Sequence, residues 1–138
     1  MAEERPVFNQ VSIVVKDMEV SVAFYRRLGL EIPDADPAWQ DEHRTATMPN
    51  GIGLDLDSAG FAPKWDRGWR GGPGIVLGFH APSREAVDKM YADLTGAGYR
   101  AQQPPYDAMW GARYAVVEDP DGNPVGLMSE PEPALVQP

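Results

Sequence analysis

The residues of this chain that are best placed to do chemistry are its two histidines and a few of its 21 acidic residues. Asp55, in the segment Gly53-Leu-Asp-Leu-Asp57, could orient a donor group of a ligand or act as a general base. His43 could also act as a base, but the residues around it have no recognised metal-ligand spacing. His80 follows a predicted strand over 75–79, and the alternation of that strand could direct it toward a cleft. The sequence thus offers acid–base groups without an evident metal cluster.

Length and composition restrict the class of protein. The chain has 138 residues and a hydrophobic content of 43%, which predicts one compact domain, and it has no cysteine, which excludes disulfides and thiolate sites. Its formal charge of −9 argues against a nucleic-acid partner, although acidic clusters could attract a cation. The first residues lack the pattern of a signal peptide, and no apolar run approaches the length of a membrane span. We therefore expect a soluble cytoplasmic protein without a membrane partner.

The elements that must position the candidate residues repeat once along the chain. Residues 11–15 predict a strand, and Asp17 is placed to cap a helix that Gly29 ends. Residues 75–79 predict a second such strand, and Ser83 is placed at the start of a second helix. The apolar positions assigned to the inner faces of the two helices are Val20, Phe24 and Leu28 in the first, and Val87, Met90, Tyr91 and Leu94 in the second.

The register of these two halves predicts two βαβββ modules over 7–66 and 72–130. A linker rich in glycine and arginine joins them at 66–73, and residues 131–138 are expected to form a loose tail. Because helices do not separate every strand, the pattern favours an α+β architecture over a doubly wound parallel sheet.

The segment 110–127 is typical of a strand, a turn and a strand, with Asp119-Pro120-Asp121-Gly122 at the turn. Together with the segment 11–30 it resembles the vicinal oxygen chelate superfamily, which includes glyoxalase I, extradiol dioxygenases and bleomycin-resistance proteins. The resemblance covers nearly the whole chain. It implies two modules whose curved mixed sheets surround a shared cleft, and it implies a homodimer.

Metal-dependent members of that superfamily hold one divalent ion with a residue from the first strand of each module and a residue late in each module's sheet. The resemblance carries these four slots to Gln10, Asp55, Gly74 and Gly126. Glycine has no side-chain donor, and Gln10 and Asp55 alone would form a weak site. The expectation is therefore no metal or other cofactor, which weighs against a metalloenzyme. The alternative, a metal-dependent lyase or dioxygenase, would need a site relocated around Gln10, Asp55 and either His80 or His43.

Aromatic side chains take the place of the metal in the predicted cleft. All four tryptophans lie in predicted loops or at strand edges, where an indole ring can stack on a planar ligand. The runs 31–33, 61–65, 89–94 and 105–114 resemble the mitomycin-binding resistance proteins, which sequester a flat antibiotic and are not enzymes. This closer resemblance implies that His43 and Trp110 form the two walls of the ligand slot.

Further residues are predicted to line that slot or to orient the ligand. They are Trp39, Met48, Asp55, Trp65 and Tyr106. Trp65 could instead pack with Trp69 against the linker, and Arg113 could either face the slot or pair with Glu118 outside it. Taken together, these residues favour non-catalytic binding of a planar small molecule, neutral or cationic, over an enzyme.

Overall fold

The computed structural model describes residues 5–28, 30–72 and 74–137. Within these ranges the chain forms seven strands, three α-helices and one 3-10 turn, which confirms the predicted α+β class. In chain order the elements are β1 (Val7–Val15), α1 (Met18–Arg27), β2 (His43–Thr47), β3 (Gly53–Ser58), α2 (Ala62–Trp65), β4 (Gly74–His80), α3 (Arg84–Gly96), β5 (Ala101–Asp107), β6 (Arg113–Glu118), β7 (Pro124–Met128) and the 3-10 turn Pro133–Leu135.

The seven strands form one mixed sheet in the order β2-β3-β1-β4-β7-β6-β5. The first strands of the two modules, β1 and β4, pair antiparallel at its centre, with Val11 opposite Leu77. Each of them also pairs in parallel with the last strand of its own module, β1 with β3 and β4 with β7. The two modules are therefore related by an approximate twofold axis that passes between Val11 and Leu77.

Both long helices begin where the sequence predicts. The Asp17 carboxylate accepts a hydrogen bond from the Val20 amide, and the Ser83 hydroxyl accepts one from the Ala86 amide. The inner face predicted for α3 is confirmed, because Val87 is fully buried with Met90, Tyr91 and Leu94 packed around it. None of the described helices combines the length and the apolar character needed to cross a membrane.

The predicted inner face of α1 is wrong. Its three residues are each more than half exposed, namely Val20, Phe24 and Leu28. Met18 and Val22 pack against the sheet instead. Helix α1 has apolar residues on more than one side, so their periodicity does not identify the side that is buried. Gly29, predicted to end the helix, lies outside the described residues.

The first module has three strands in the described chain, one fewer than predicted, because residues 30–36 do not join the sheet. Pro33 lacks the backbone N–H that a strand would need there. The carbonyl oxygens of Ile32 and Pro33 accept hydrogen bonds from the side chains of Arg26 and Arg44 instead, at 3.1 and 3.0 Å. The second module has the four strands that were predicted.

The C-terminal segment is held in place rather than loose. The Glu132 amide donates to the carbonyl of Gly111 at 3.0 Å, and the Gln137 amide donates to that of Met109 at 2.9 Å. Val136 also forms an isolated β-bridge with Trp110. The expectation of a loose tail is therefore corrected for residues 131–137, which hydrogen bond to the loop that carries Trp110.

The two strands at the edges of the sheet differ in sequence. Edge strand β2 has no proline, whereas edge strand β5 contains Pro104 and Pro105. The register between β5 and β6 shifts between Gln103 and Tyr106, where these prolines lie. Proline removes ladder hydrogen bonds, so β5 pairs irregularly even with its own neighbour.

Candidate functional site

The face of the sheet opposite α1 and α3 has an open depression over its central strands, β1, β4, β7 and β6. It is shallow and open to solvent on one side. The residues that line it include Gln10, Ser12, Gly78, Tyr114, Gly126 and Met128. The lining is thus largely apolar, with polar groups from only a few positions.

Two neighbouring glycines make room for two of the side chains that line this depression. Gly78 pairs with Gly126 on one side and with Gln10 on the other. A Cβ atom at Gly78 would lie 3.0 Å from the Cβ of Gln10, and one at Gly126 would lie 2.7 Å from the hydroxyl oxygen of Tyr114. The side chains of Gln10 and Tyr114 therefore occupy the space into which side chains at the two glycines would project.

The approximate twofold axis relates Gln10 to a residue other than the one predicted. Gln10 pairs with Gly78 and Ser12 pairs with Val76, so the position in β4 that is equivalent to Gln10 is Val76. Gly74 lies two residues away along β4. The predicted slot at Gly74 is therefore corrected to Val76, which also lacks a donor atom.

Gly126 is the counterpart of Asp55 under the same twofold relation. Asp55 pairs in parallel with Ser12, and Gly126 pairs in the same way with Gly78. One module therefore has a carboxylate at this position, whereas the other has the hydroxyl of Tyr114 in the space beside a glycine.

The polar groups of the first module form one connected cluster. The side-chain nitrogen of Gln10 donates to the Asp55 carboxylate and to the Ser12 hydroxyl, the latter at 3.2 Å. Burial raises the pKa of Asp55 from 3.8 to about 6, although the charge of His43 lowers it. Asp55 is therefore mostly ionised at neutral pH, as its role as acceptor from Gln10 requires.

His43 belongs to the outer part of this cluster, on edge strand β2. Its Nδ1 lies 2.5 Å from a carboxylate oxygen of the buried Asp57, and its Nε2 lies 3.1 Å from the hydroxyl of Thr45. Burial lowers the pKa of His43, but the hydrogen bond to Asp57 and the charges of Asp57 and Asp55 raise it above its usual value. His43 is thus an acid–base group beside the depression rather than within its lining.

Tyr114 is held by aromatic rings on several sides. Its ring packs nearly edge-on against Trp65, Tyr106 and Trp110, with centroids 6.1, 6.2 and 5.5 Å away. Burial raises the pKa of Tyr114 well above 10, so its hydroxyl is protonated at neutral pH. The ring is immobilised by packing, and its hydroxyl reaches the depression.

The two predicted walls of the ligand slot, His43 and Trp110, have different neighbours, and their pairing across a ligand stays a prediction. The Nε1 of Trp110 donates to the sulfur of Met128 at 3.2 Å, and the ring lies behind Met128 and Tyr114. His43 instead contacts the ring of Phe61, with centroids 6.3 Å apart. Trp110 therefore supports the lining from behind, and no ring contact joins it to His43 in the part of the chain that the structure describes.

The other residues predicted to line the ligand slot, three aromatic residues and Met48, are not among the residues that line the depression. Trp65 is buried in the core, and the hydroxyl of Tyr106 donates to its carbonyl at 2.9 Å. Trp39 is partly exposed and packs edge-on against Phe61. Met48 lies in the turn after β2, where its amide donates to the carbonyl of Ile52. The alternative considered for Trp65, packing beside Trp69, is what the structure has.

Two charged candidates also point elsewhere. Arg113 pairs with Asp88 of α3 at 2.9 Å and with Asp107 at 3.1 Å, so it neither faces the depression nor pairs with Glu118. The hydrogen bonds raise the pKa of Arg113 and lower that of Asp107. His80 lies 3.1 Å from Glu130 at the end of β4.

The residues at the four equivalent positions do not fit a divalent metal ion. They are Gln10, Asp55, Val76 and Gly126, which together provide one amide and one carboxylate. These two groups are already bonded to each other. Divalent hard ions usually take more oxygen ligands than this pair offers. In residues 5–28, 30–72 and 74–137, no group of three or more His, Asp and Glu side chains is placed to hold a metal ion.

Three residues that define the depression were not predicted from the sequence as part of the site, namely Tyr114, Gly78 and Met128. Two signals could have identified part of this site. The offset that aligns the caps Asp17 and Ser83 also aligns Gln10 with Val76. The strand–turn–strand pattern of 110–127 indicates the β6–β7 hairpin that brings Tyr114 beside Gly126, although it does not fix the register.

Comparison with known proteins identifies the family. The family model of the Glyoxalase/Bleomycin resistance protein/Dioxygenase superfamily matches residues 7–127. The chain belongs to this superfamily, which confirms the broader of the two resemblances. A search of curated proteins found no match.

Solved structures share the fold at low sequence identity. One described as an NAD-dependent benzaldehyde dehydrogenase from Legionella pneumophila has a TM-score of 0.68 and 24% identity, over 88% of this chain and 97% of that one. The Mn(II)-bound glyoxalase from Novosphingobium aromaticivorans has a TM-score of 0.62 and 22% identity, over 91% of this chain and 39% of that one. The methylmalonyl-CoA epimerase from Mycobacterium tuberculosis has a TM-score of 0.62 and 21% identity, over 94% of this chain and 90% of that one.

Proposed function

We propose that this protein binds a planar small molecule, neutral or cationic, in the depression between β1, β4, β7 and β6, and releases it chemically unchanged. The observation that carries this proposal is the placement of Tyr114. Its hydroxyl occupies the space beside Gly126, where the equivalent position of the first module has the Asp55 carboxylate. The site therefore has a rigid aromatic wall at a position where a metal-dependent relative would need a donor.

The chemistry of the lining supports a flat, uncharged or positively charged ligand. The depression is open on one side, so a flat ring can lie against the side chains that line it. Tyr114 and Met128 provide polarizable surface at its side. The carboxylates of Asp55 and Asp57 lie beyond Gln10 and Ser12, and their negative potential would attract a cation and repel an anion. A role like that of the mitomycin-binding proteins is part of this proposal.

The alternative is a metal-dependent enzyme. The structures similar to this chain include a Mn(II)-bound glyoxalase, and Gln10 and Asp55 still lie side by side as two oxygen donors. In such an enzyme only two protein side chains would bind the ion, and water or substrate would supply the remaining ligands.

Catalysis without a cofactor, with Asp55 or His43 as the general base, would need no metal ion.

Two experiments distinguish these functions. The first is metal analysis of the purified, unchelated protein, and the second is calorimetric titration with manganese, nickel, zinc and ferrous iron. We expect no bound ion and no affinity tighter than millimolar. Titration with a panel of planar heterocycles, followed by tryptophan fluorescence, should then give saturable quenching. One ion retained per chain would contradict the proposal and favour the enzyme.

We further propose that the protein is a homodimer that uses the exposed face of α1. Val20, Phe24 and Leu28 form an apolar stripe there, with Glu19 near the start of the helix and Arg27 at its end. Antiparallel packing of this stripe on a second copy would bring these opposite charges together.

Light scattering should give the mass of a dimer for the wild type and of a monomer for Phe24→Asp. Leu135→Asp, at an exposed apolar residue elsewhere, should remain a dimer, and a monomeric wild type would contradict the proposal.

A further inference from the structure

The side chain of Gln10 lines the depression, and its amide nitrogen is already hydrogen bonded. Its nitrogen donates to two partners, the Asp55 carboxylate and the Ser12 hydroxyl. An ionised carboxylate can only accept, so it selects the amide orientation in which nitrogen faces Asp55. The oxygen of Gln10 has no hydrogen-bond partner among the described residues. Because Gln10 lines the depression, this oxygen is an acceptor available to a ligand.

The hydroxyl of Tyr114 is the second fixed polar group of the depression. It has no hydrogen-bond partner in the described chain, although the ring is packed by three aromatic neighbours. In the same part of the chain, the only buried side-chain nitrogen or oxygen without a hydrogen-bond partner is Nη1 of Arg44. The Tyr114 hydroxyl is therefore not sealed in the core. A protonated phenol can donate one hydrogen bond to a ligand.

The two groups lean over adjacent glycines. Tyr114 occupies the space beside Gly126, and Gln10 occupies the space beside Gly78, which pairs with Gly126. Both side chains line the same depression, so a flat ligand in it would contact both.

We propose that the ligand is recognised by a cyclic-amide edge, with its ring N–H donating to the oxygen of Gln10 and its carbonyl accepting from the hydroxyl of Tyr114. This inference rests on the proposed function and adds the polar chemistry of the ligand. Asp55 acts as a positioning residue, because it holds the amide of Gln10 in the accepting orientation. A carboxylate ligand is disfavoured, since the nitrogen of Gln10 is already used and the nearby charges are negative.

Two probes of the same shape test this recognition. 2-Quinolone has the N–H and the carbonyl side by side, whereas coumarin has a ring oxygen in place of the N–H and keeps the carbonyl. Calorimetric titration of the wild type should show about tenfold tighter binding of 2-quinolone, the effect of one hydrogen bond gained and one oxygen–oxygen repulsion avoided. In Gln10→Met, which keeps the length of the side chain, this preference should be lost.

Tyr114→Phe removes only the hydroxyl and should weaken both probes by a similar factor, because both have the carbonyl. Tyr99→Phe, at an exposed tyrosine outside the depression, is the matched control and should change neither affinity. Thermal unfolding of each variant checks that it is folded.

The remaining outcomes separate this inference from the proposed function. Equal affinity of the wild type for the two probes, or a preference that persists in Gln10→Met, would overturn the cyclic-amide edge. Binding of other planar heterocycles but of neither probe would also overturn it, and would leave the proposed function in place. If no planar compound binds, both fail.

Discussion

The two modules share a topology but differ in the chemistry of equivalent positions. The first module has Gln10 and Asp55 where the second has Val76 and Gly126, and it surrounds them with further polar groups. The second module supplies packed rings instead, centred on Tyr114. A duplicated scaffold can thus keep donors on one side of a cleft while the other side becomes an apolar wall. The experiments below test this division of roles between the modules.

Trp65→Ala should have the largest effect, because it removes a buried ring that supports the aromatic wall. Truncation of a buried tryptophan costs about 3–5 kcal/mol of the free energy of unfolding. Chemical denaturation measures this loss. Trp39→Ala removes a ring that is 39% exposed and should cost clearly less. Equal losses would mean that Trp65 is not the central support of the second module.

Gly126→Ala should cost about 1–3 kcal/mol of the free energy of unfolding, because the added Cβ would lie 2.7 Å from the Tyr114 hydroxyl oxygen. The double variant Gly126→Ala with Tyr114→Phe should recover part of that loss. Gly53→Ala in the first module is the matched control, since its Cβ would meet no atom closer than 3.8 Å. A full cost that persists without the hydroxyl would contradict the assigned contact.

Trp110→Ala should weaken the binding of a planar ligand by about 1–2 kcal/mol while leaving the fold intact. The ring does not line the depression, but Met128 and Tyr114 lose their support behind the lining when it is removed. Calorimetry on the wild type and the variant gives the ratio of dissociation constants. An unchanged constant would exclude Trp110 from the site.

The effect of Asp55→Asn on stability should depend on pH. The pKa of Asp55 is about 6 in the folded protein and 3.8 as its ordinary value, so the folded state binds more protons between these values. Ionisation of Asp55 therefore lowers the stability as the pH rises from about 4 to about 6. Relative to the wild type, the Asn variant should become more stable over that range. Denaturation midpoints at pH 4 and pH 7 measure the difference, and a constant difference would contradict the raised pKa.

The sequence predicts much of the fold because its strongest signals are local. The caps Asp17 and Ser83 and the turn after β6 depend on residues a few positions apart. The inner side of α1 was not predictable in the same way. Apolar residues lie on two sides of that helix, and only packing against Leu56 and its neighbours selects the side of Val22.

The candidate site was harder to predict because it depends on contacts across strands. Gln10 and Asp55 were identified as neighbours, and they are hydrogen bonded. The role of Tyr114 depends on which side chain projects over Gly126 of the neighbouring strand β7, and the local pattern indicates the hairpin but not that projection. The predicted sandwich of His43 and Trp110 came from resemblance alone, which does not encode the distance between them.

The prolines of β5 have a consequence for how the protein behaves at high concentration. Pro104 and Pro105 withhold backbone donors along one margin of the sheet, so a strand from another molecule could not pair there in a regular ladder. Edge strand β2 has no such protection, and its Thr45 and Thr47 are exposed. Intermolecular growth of the sheet, in crystals or in aggregates, would therefore proceed in one direction only, outward from β2.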